Sequence, residues 1–277
     1  MAAIDIDKVS AIVREVAATE VMPRWRNLGA GDISSKSHAG DLVTVADRAA
    51  EAALSQRLTA LLPGSLIIGE EGVHADPTIL ERFRDDAYVW VLDPIDGTRA
   101  FSEGREPFDV MVGLVRRGRP VAGWILAPVS GVLHVGEVGA GARRQAGDSA
   151  GEPVARRELP AALGELQGVL GVQGFLNRKL PSPEGVRDRF KGYTKPVSAG
   201  QNYARLLTGD ADFLINFLTL PWDHMAGLAI TEAAGMFARR HDGAHFDPLD
   251  TMGGVLVAPD AASWREILAL LVPHAKR

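Results

Sequence analysis

The residues of this chain best suited to chemistry are acids that end apolar runs. The central segment reads Trp90-Val91-Leu92-Asp93-Pro94-Ile95-Asp96-Gly97-Thr98. An apolar strand is predicted to finish at Asp93. Pro94 then fixes one φ angle and stops ladder pairing, and Asp96 follows. Gly97 permits close backbone approach, and Gly97-Thr98 can open a helical turn with free N–H donors. Hard Mg²⁺ takes oxygen ligands and keeps several waters. Asp93 and Asp96, with the Ile95 carbonyl between them, can bracket such ions across a rigid turn. The amides of Gly97 and Thr98 can hold a phosphate oxygen. Metal, phosphate and a nucleophilic water could thus meet at one turn.

Two other segments add acids of the same kind. Gly69-Glu70-Glu71-Gly72 follows the apolar run Leu66–Ile68, and Leu220-Pro221-Trp222-Asp223 precedes a helical pattern. Taken alone, the glutamates read as solvated surface acids and Asp223 as a helix N-cap. All three segments together, in this order, are hard to explain as capping.

The positioning elements follow from periodicity. Asp5 or Asp7 can cap a first helix, with Val9, Ile12, Val13 and Val16 at helical spacing as far as about Pro23. Thr44–Leu62 reads as a second helix, stopped by Pro63-Gly64. Leu66–Gly69 and Tyr88–Leu92 read as buried strands that deliver acids at their ends. Phe108–Val138 reads as three strands around the turns at Arg116–Arg119 and Pro128–Gly131. The basic run Arg116-Arg117-Gly118-Arg119 is expected to be a solvated hairpin tip. Gly139–Gly151 reads as a linker or an exposed hairpin. In the second half, strands are expected at Leu166–Val172, Phe213–Phe217 and Gly254–Ala258. Helices are expected at Glu184–Phe190, Ala199–Thr208, Asp223–Ala234 and Ala262–Leu271.

Composition bounds the rest. With 277 residues, 46% hydrophobic and 23% charged, the chain can bury a sizeable core as one large α/β domain or two smaller ones. A net charge of −5 gives no reason to expect a nucleic-acid partner. The absence of cysteine excludes disulfides, thiolate metal sites and cysteine nucleophiles. The acids near the N-terminus do not suit a signal peptide, and no apolar window of about 18 residues suggests a membrane span. A cytoplasmic location is the resulting expectation.

At this point the sequence resembles the inositol monophosphatase family. The resemblance is carried by Lys36 with Asp41-Leu42-Val43-Thr44-Val45-Ala46-Asp47, by Gly69-Glu70-Glu71, by Asp93-Pro94-Ile95-Asp96-Gly97-Thr98, and by Pro221-Trp222-Asp223 with Glu232-Ala233-Ala234-Gly235. It implies a five-layered α/β/α/β/α sandwich over residues 1–277 as a single unit, with subdomains of roughly 1–150 and 151–277. It implies two to three Mg²⁺ ions, with Mn²⁺ as a substitute. One would be held by Glu70, Asp93 and the Ile95 carbonyl, a second by Asp93, Asp96 and Asp223, and a third, weaker one near Glu70. Thr98, hydrogen-bonded to Asp47, would orient or deprotonate the attacking water, and Glu70 would help to hold it. Lithium sensitivity, a homodimer and hydrolysis of a small phosphate monoester, inositol 1-phosphate-like, complete the expectation.

The match departs from the family at the substrate side. Inositol-hydrolysing members carry an acid seven residues before the last metal Asp, where this chain has Asn216. A Thr-Asn pair usual in the family is replaced by Arg99-Ala100. Arg99, Ser198, Gly200, Gln201 and Asn216 are therefore the residues expected to line the substrate pocket. Alternative substrates are histidinol phosphate, 3′-phosphoadenosine 5′-phosphate or a sugar phosphate. A reading of a different class is a regulator that binds the transcription machinery.

Overall fold

The computed structural model describes residues 4–29, 31–35, 42–147, 149–156, 163–171, 190–194 and 196–271. Lys36 and Asp41 of the first motif, and residues 184–189 of the expected helix Glu184–Phe190, lie outside these.

Helix α1 (Ile6–Val16) starts where Asp5 accepts the Lys8 amide at 3.0 Å. Its apolar stripe is Val9, Val13 and Val16. The helix does not run on evenly to Pro23. It loosens into a π-type turn over Ala17–Val21. A hairpin of β1 (Ile33–Ser35) and β2 (Leu42–Thr44) leads into α2 (Val45–Leu61). That helix opens with a reciprocal cap between Thr44 and Asp47.

Seven strands then build one sheet in chain order. They are β3 (Leu66–Gly69), β4 (Tyr88–Asp96), β5 (Asp109–Arg116), β6 (Arg119–Ala127), β7 (Val132–Glu137), β8 (Gly141–Ala146) and β9 (Glu152–Val154). The β3–β4 pair is parallel and carries α3 (Glu70–Ala75) in its crossover. The short helix α4 (Thr98–Ser102) links β4 to β5. The Gly139–Gly151 stretch is no linker. Its β8 pairs with β7 from Val132↔Ala146 to Glu137↔Gly141 and extends the sheet. The Arg116–Arg119 turn is a hairpin tip as expected, with Arg117 Nε on Asp86 at 2.7 Å.

A second sheet has the order β11-β10-β12-β14-β13. Its strands are β10 (Gln167–Leu170), β11 (Gly192–Thr194), β12 (Phe213–Asn216), β13 (Phe237–Arg239) and β14 (Val255–Ala258). Helices α5 (Ala199–Thr208), α6 (Pro221–Ala233) and α7 (Ala261–Leu271) and the 3-10 turns Pro77–Arg84 and Leu163–Glu165 complete the described elements.

Side-chain alternation along the strands sorts the core into three slabs. Trp90, Leu92, Val110, Val112, Trp124 and Leu126 face α1 and α2. Val89, Val91, Met111 and Ile125, one residue out of phase, face α5, α6 and one side of the second sheet. Leu170, Phe213, Ile215 and Leu256 on that sheet's other side meet Trp264 and Ile267 of α7. The layers therefore run helices, sheet, helices, sheet, helix, which is the expected five-layered α/β/α/β/α architecture. The middle slab draws on both halves of the chain.

Helix α6 lies unusually close to the first sheet, because three successive strands offer it glycine. A Cβ on Gly123 would lie 2.2 Å from the Ala226 carbonyl oxygen, and one on Gly136 would lie 3.0 Å from the Ile230 Cα. On Gly113 it would lie 3.1 Å from the Ala226 amide nitrogen. Backbone thus rests on backbone, and this helix, which starts at Pro221 after the N-cap Leu220 and not at Asp223, is set at a definite height over β5, β6 and β7.

Candidate active site

Strand β4 carries the two central acids, and an irregularity in its pairing aims them. Asp93 pairs with Met111 and Asp96 with Asp109. Three steps along β4 therefore match two along β5, so β4 holds one extra residue there. In a regular strand, residues three apart point to opposite faces. The extra residue restores both acids to the face of Met111 and Asp109, which is the face covered by α5 and α6. The Ile95 side chain meanwhile joins the opposite core. The Ile95 amide donates to Asp93 Oδ1 at 3.1 Å, which tightens the turn.

The other acids reach the same place from three elements. Glu70 is the first residue of α3, directly after β3. Asp223 is in the first turn of α6. Asp47 is in the first turn of α2 and is fully buried. Asp93 is held well above the usual carboxylate range, first by burial and then by the charges of Glu70, Asp96, Asp223 and Asp47. The four charges that act most on Asp93 are thus all acids. Asp96 is pushed up to about 6 by burial, against hydrogen bonds from Gly200, Ser198 and Ala199 that favour its ionised form. Asp47 is pushed up to about 7, again mainly by burial. Among the described residues, no three His, Asp or Glu side chains lie close enough to grip one metal ion as they stand. The donor chemistry nonetheless fits a hard divalent cation, since it is all oxygen and its mutual repulsion is what such a cation would relieve.

Asp47 Oδ2 accepts the Thr44 amide at 2.8 Å and the Thr44 hydroxyl at 2.5 Å. The expected bond from Thr98 is long, at 3.4 Å to Asp47 Oδ1. The Thr98 hydroxyl lies nearer the Ile95 carbonyl, at 2.9 Å. That carbonyl keeps a second lone pair for a ligand. Gly97 sits in the left-handed region at φ 94°, and no side chain caps the turn of α4 that it begins. Its own Cβ would meet the Pro107 carbonyl oxygen at 3.1 Å, so glycine is required on two counts.

The residues expected to face substrate divide. Ser198 caps α5, and the amides of Ala199 and Gly200 donate to Asp96 at 3.2 and 2.6 Å. The Gln201 Nε2 donates inward to Asp109 rather than outward, which leaves its carbonyl oxygen as the end with free capacity. Arg99 is exposed on α4. Asn216, half-buried at the end of β12, packs against Gly171, where a Cβ would lie 2.2 Å from its Oδ1. Under α6, the Tyr203 hydroxyl pairs with His224 Nδ1 at 2.8 Å.

Two acids beside the site escape the sequence reading. Glu51 accepts the amides of Glu71 and Gly72 at 2.9 and 2.8 Å and so caps α3 from the side. Burial pushes it up to about 7. Its signal was its place one helical turn after Asp47, on the same face. Asp109 is 1% exposed, and burial pushes it up to about 8. Its signal was an acid opening an otherwise apolar strand, Asp109-Val110-Met111-Val112.

Comparison with known proteins agrees with the motifs. The model of the inositol monophosphatase family matches residues 5–277. A bifunctional chloroplast phosphatase, IMPL2, of Arabidopsis thaliana is 30% identical over 195 residues, 70% of this chain and 53% of that protein. The match thus spans about half the length of that plant relative. An inositol-1-monophosphatase of Mycobacterium leprae is 33% identical over 220 residues, 75% of this chain and 71% of that protein. Among solved structures, an IMPase of Thermotoga maritima superposes with a TM-score of 0.77 at 25% identity, covering 96% of this chain and 95% of its own. Motifs, layered fold and near-complete match together make this chain a member of the inositol monophosphatase family.

Proposed function

We propose that the chain is a divalent-cation-dependent phosphomonoesterase acting on a small phosphate ester of the inositol 1-phosphate kind. The carrying observation is that Glu70, Asp96, Asp223 and Asp47, from four separate elements, all act on the buried carboxyl of Asp93. Such repulsion is costly in a folded chain unless a cation offsets it. Glu70, Asp93 and the Ile95 carbonyl would hold one cation, and Asp93, Asp96 and Asp223 another. A bound Mg²⁺ or Mn²⁺ supplies Lewis acidity toward water and the phosphoryl oxygens.

The chain's own groups do the rest. Gly97 and Thr98 amides receive a phosphoryl oxygen at the open turn of α4. Thr98 and Asp47 orient the attacking water and take its proton; the sealed position of Asp47 keeps bulk water from competing. Glu70 helps to hold that water for in-line attack on phosphorus; as the bond from phosphorus to the alcohol oxygen breaks, the charge of the leaving alkoxide would be offset by the cation that Asp93, Asp96 and Asp223 would hold. Ser198, Asn216 and Arg99 are the groups left to meet the alcohol part of the substrate. Asn216 brings hydrogen bonds without charge, which suits a neutral polyol or sugar better than a cationic alcohol.

The test is a panel of inositol 1-phosphate, histidinol phosphate, fructose 1,6-bisphosphate and 3′-phosphoadenosine 5′-phosphate, each with Mg²⁺ and with chelator. Phosphate release from one of them, abolished by chelator and by Asp93→Asn, is the expected result. Normal turnover by Asp93→Asn would refute the assignment.

A further inference from the structure

Asp109 takes no part in the chemistry just described, yet it is the only acid on β5 and lies in register with Asp96. The two carboxylates hold four successive residues between them. Asp96 accepts the amides of Ala199 and Gly200. Asp109 receives Gln201 Nε2 on both oxygens, at 2.9 Å each, and has the Ser198 hydroxyl at 3.5 Å. The first turn of α5 lies flat on this pair. A Cβ on Gly200 would come within 2.8 to 2.9 Å of three Asp109 side-chain atoms.

We infer that Asp109 is a positioning residue for Asp96: by holding Gln201 and Ser198, it pins the first turn of α5 so that two backbone amides stay aimed at the Asp96 carboxylate. Lone pairs of Asp96 that accept those amides are withdrawn from other partners. The direction of the remaining ones is thereby set. Without Asp109, Gln201 has no inward acceptor, the turn keeps only its own cap and its two amide bonds to Asp96, and turn and carboxylate can shift together. Partners of this kind behind a metal-binding carboxylate change cation affinity rather than substrate contact. The inference rests on the cation-dependent reading above and assigns Gln201 a role other than touching substrate.

The experiment uses the full chain, stripped of metal, in the variants Asp109→Leu, Gln201→Leu, their double mutant and Asp109→Asn. Mn²⁺ binding is followed by electron paramagnetic resonance without substrate, and KM and kcat are measured separately at saturating Mg²⁺. Asp109→Leu and Gln201→Leu are each expected to weaken Mn²⁺ binding by about tenfold or more. The double mutant should fall no further than either single, because both remove one link. Asp109→Asn keeps an acceptor and should stay close to wild type. Gln201 is only half-buried, so its variant reads the link even if Asp109→Leu fails to fold. Wild-type Mn²⁺ binding in Gln201→Leu with a raised substrate KM would overturn the inference, as would losses that multiply in the double mutant. A wild-type chain that shows this Mn²⁺ pattern but hydrolyses no phosphate ester would sink the phosphatase reading alone.

Discussion

Replacing Gly123 by Ala tests whether backbone contact sets the height of α6. The new Cβ would lie 2.2 Å from the Ala226 carbonyl oxygen, 2.9 Å from its carbonyl carbon and 3.0 Å from its Cα. Carbon and carbonyl oxygen ordinarily approach to about 3.3 Å, so the helix must rise by about 1 Å. Two effects oppose each other. Alanine is favoured over glycine in a strand by roughly 0.5–1 kcal/mol. Overpacking costs about 1–3 kcal/mol, and the upper end applies because the obstacle is main chain and cannot rotate away. The net loss is about 2 kcal/mol, a fall in melting temperature of roughly 4–8 °C for a chain of this size. Gly113→Ala is the internal control, since its nearest atoms are at 3.1 Å and the neighbours need yield only slightly. Asp223 lies in the first turn of the same helix, and a misplacement of about 1 Å can cost about a hundredfold in rate. Thermal melts of both variants without metal, followed by phosphate release with Mg²⁺, make the comparison. A Gly123→Ala chain that melts with wild type, or a Gly113→Ala chain that melts lower, would refute the reasoning.

Other expectations concern charge. Asp93→Asn should melt higher than wild type in chelator, because it removes one of several repelling buried acids, and should gain little from Mg²⁺, which stabilises wild type by mass action; differential scanning calorimetry with and without the ion reads both. Glu51→Ala should cost about 1 kcal/mol through the lost cap of α3 and should weaken cation binding through Glu70, while Glu51→Gln retains part of each; urea melts and a Mn²⁺ titration check this. Buried His134, beside Arg144 in the next strand, is depressed from 6.5 to about 4, chiefly by burial. The unfolded chain therefore takes up this proton first, so stability is complete above pH 6.5 and is lost as the pH falls toward 4, by up to about 3 kcal/mol. His134→Gln should flatten that limb of the stability curve, and an unchanged slope would show that other groups set it. Resemblance to the family also leads us to expect inhibition by Li⁺ and Ca²⁺, read as a fall in Mg²⁺-dependent phosphate release.

Much of the architecture could be read from the chain because its signals are local. Val9, Val13 and Val16 mark one helix face, and Trp90 and Leu92 alternate with Val89 and Val91 on a strand buried on both sides. Acids at the ends of such elements announced themselves by type and position. The strand in Gly139–Gly151 did not, because β8 reads Gly-Ala-Arg-Arg-Gln-Ala and only two of its residues are buried. Its pairing is imposed by β7, which no local pattern records. The inward turn of Gln201 was hidden for a related reason. It depends on Asp109, 92 positions earlier in the chain, and on Gly200 leaving room between them. The three glycines beneath α6 likewise look like flexible interruptions until the helix is laid over them.

The surplus residue between Asp93 and Asp96 carries a lesson about spacing. Odd separations along a strand normally divide two side chains between opposite sides, so a search for paired carboxylates at even intervals would pass over this motif. Here the backbone skips one beat, and Pro94, which can donate no ladder bond, sits at the place where the skip does least harm. Deleting either Pro94 or Ile95 would leave both acids in the chain and the strand largely paired. It would set them two apart on a regular strand, still on one side but without the kink that now spreads them, so the shortened strand should fold while holding divalent ions less well.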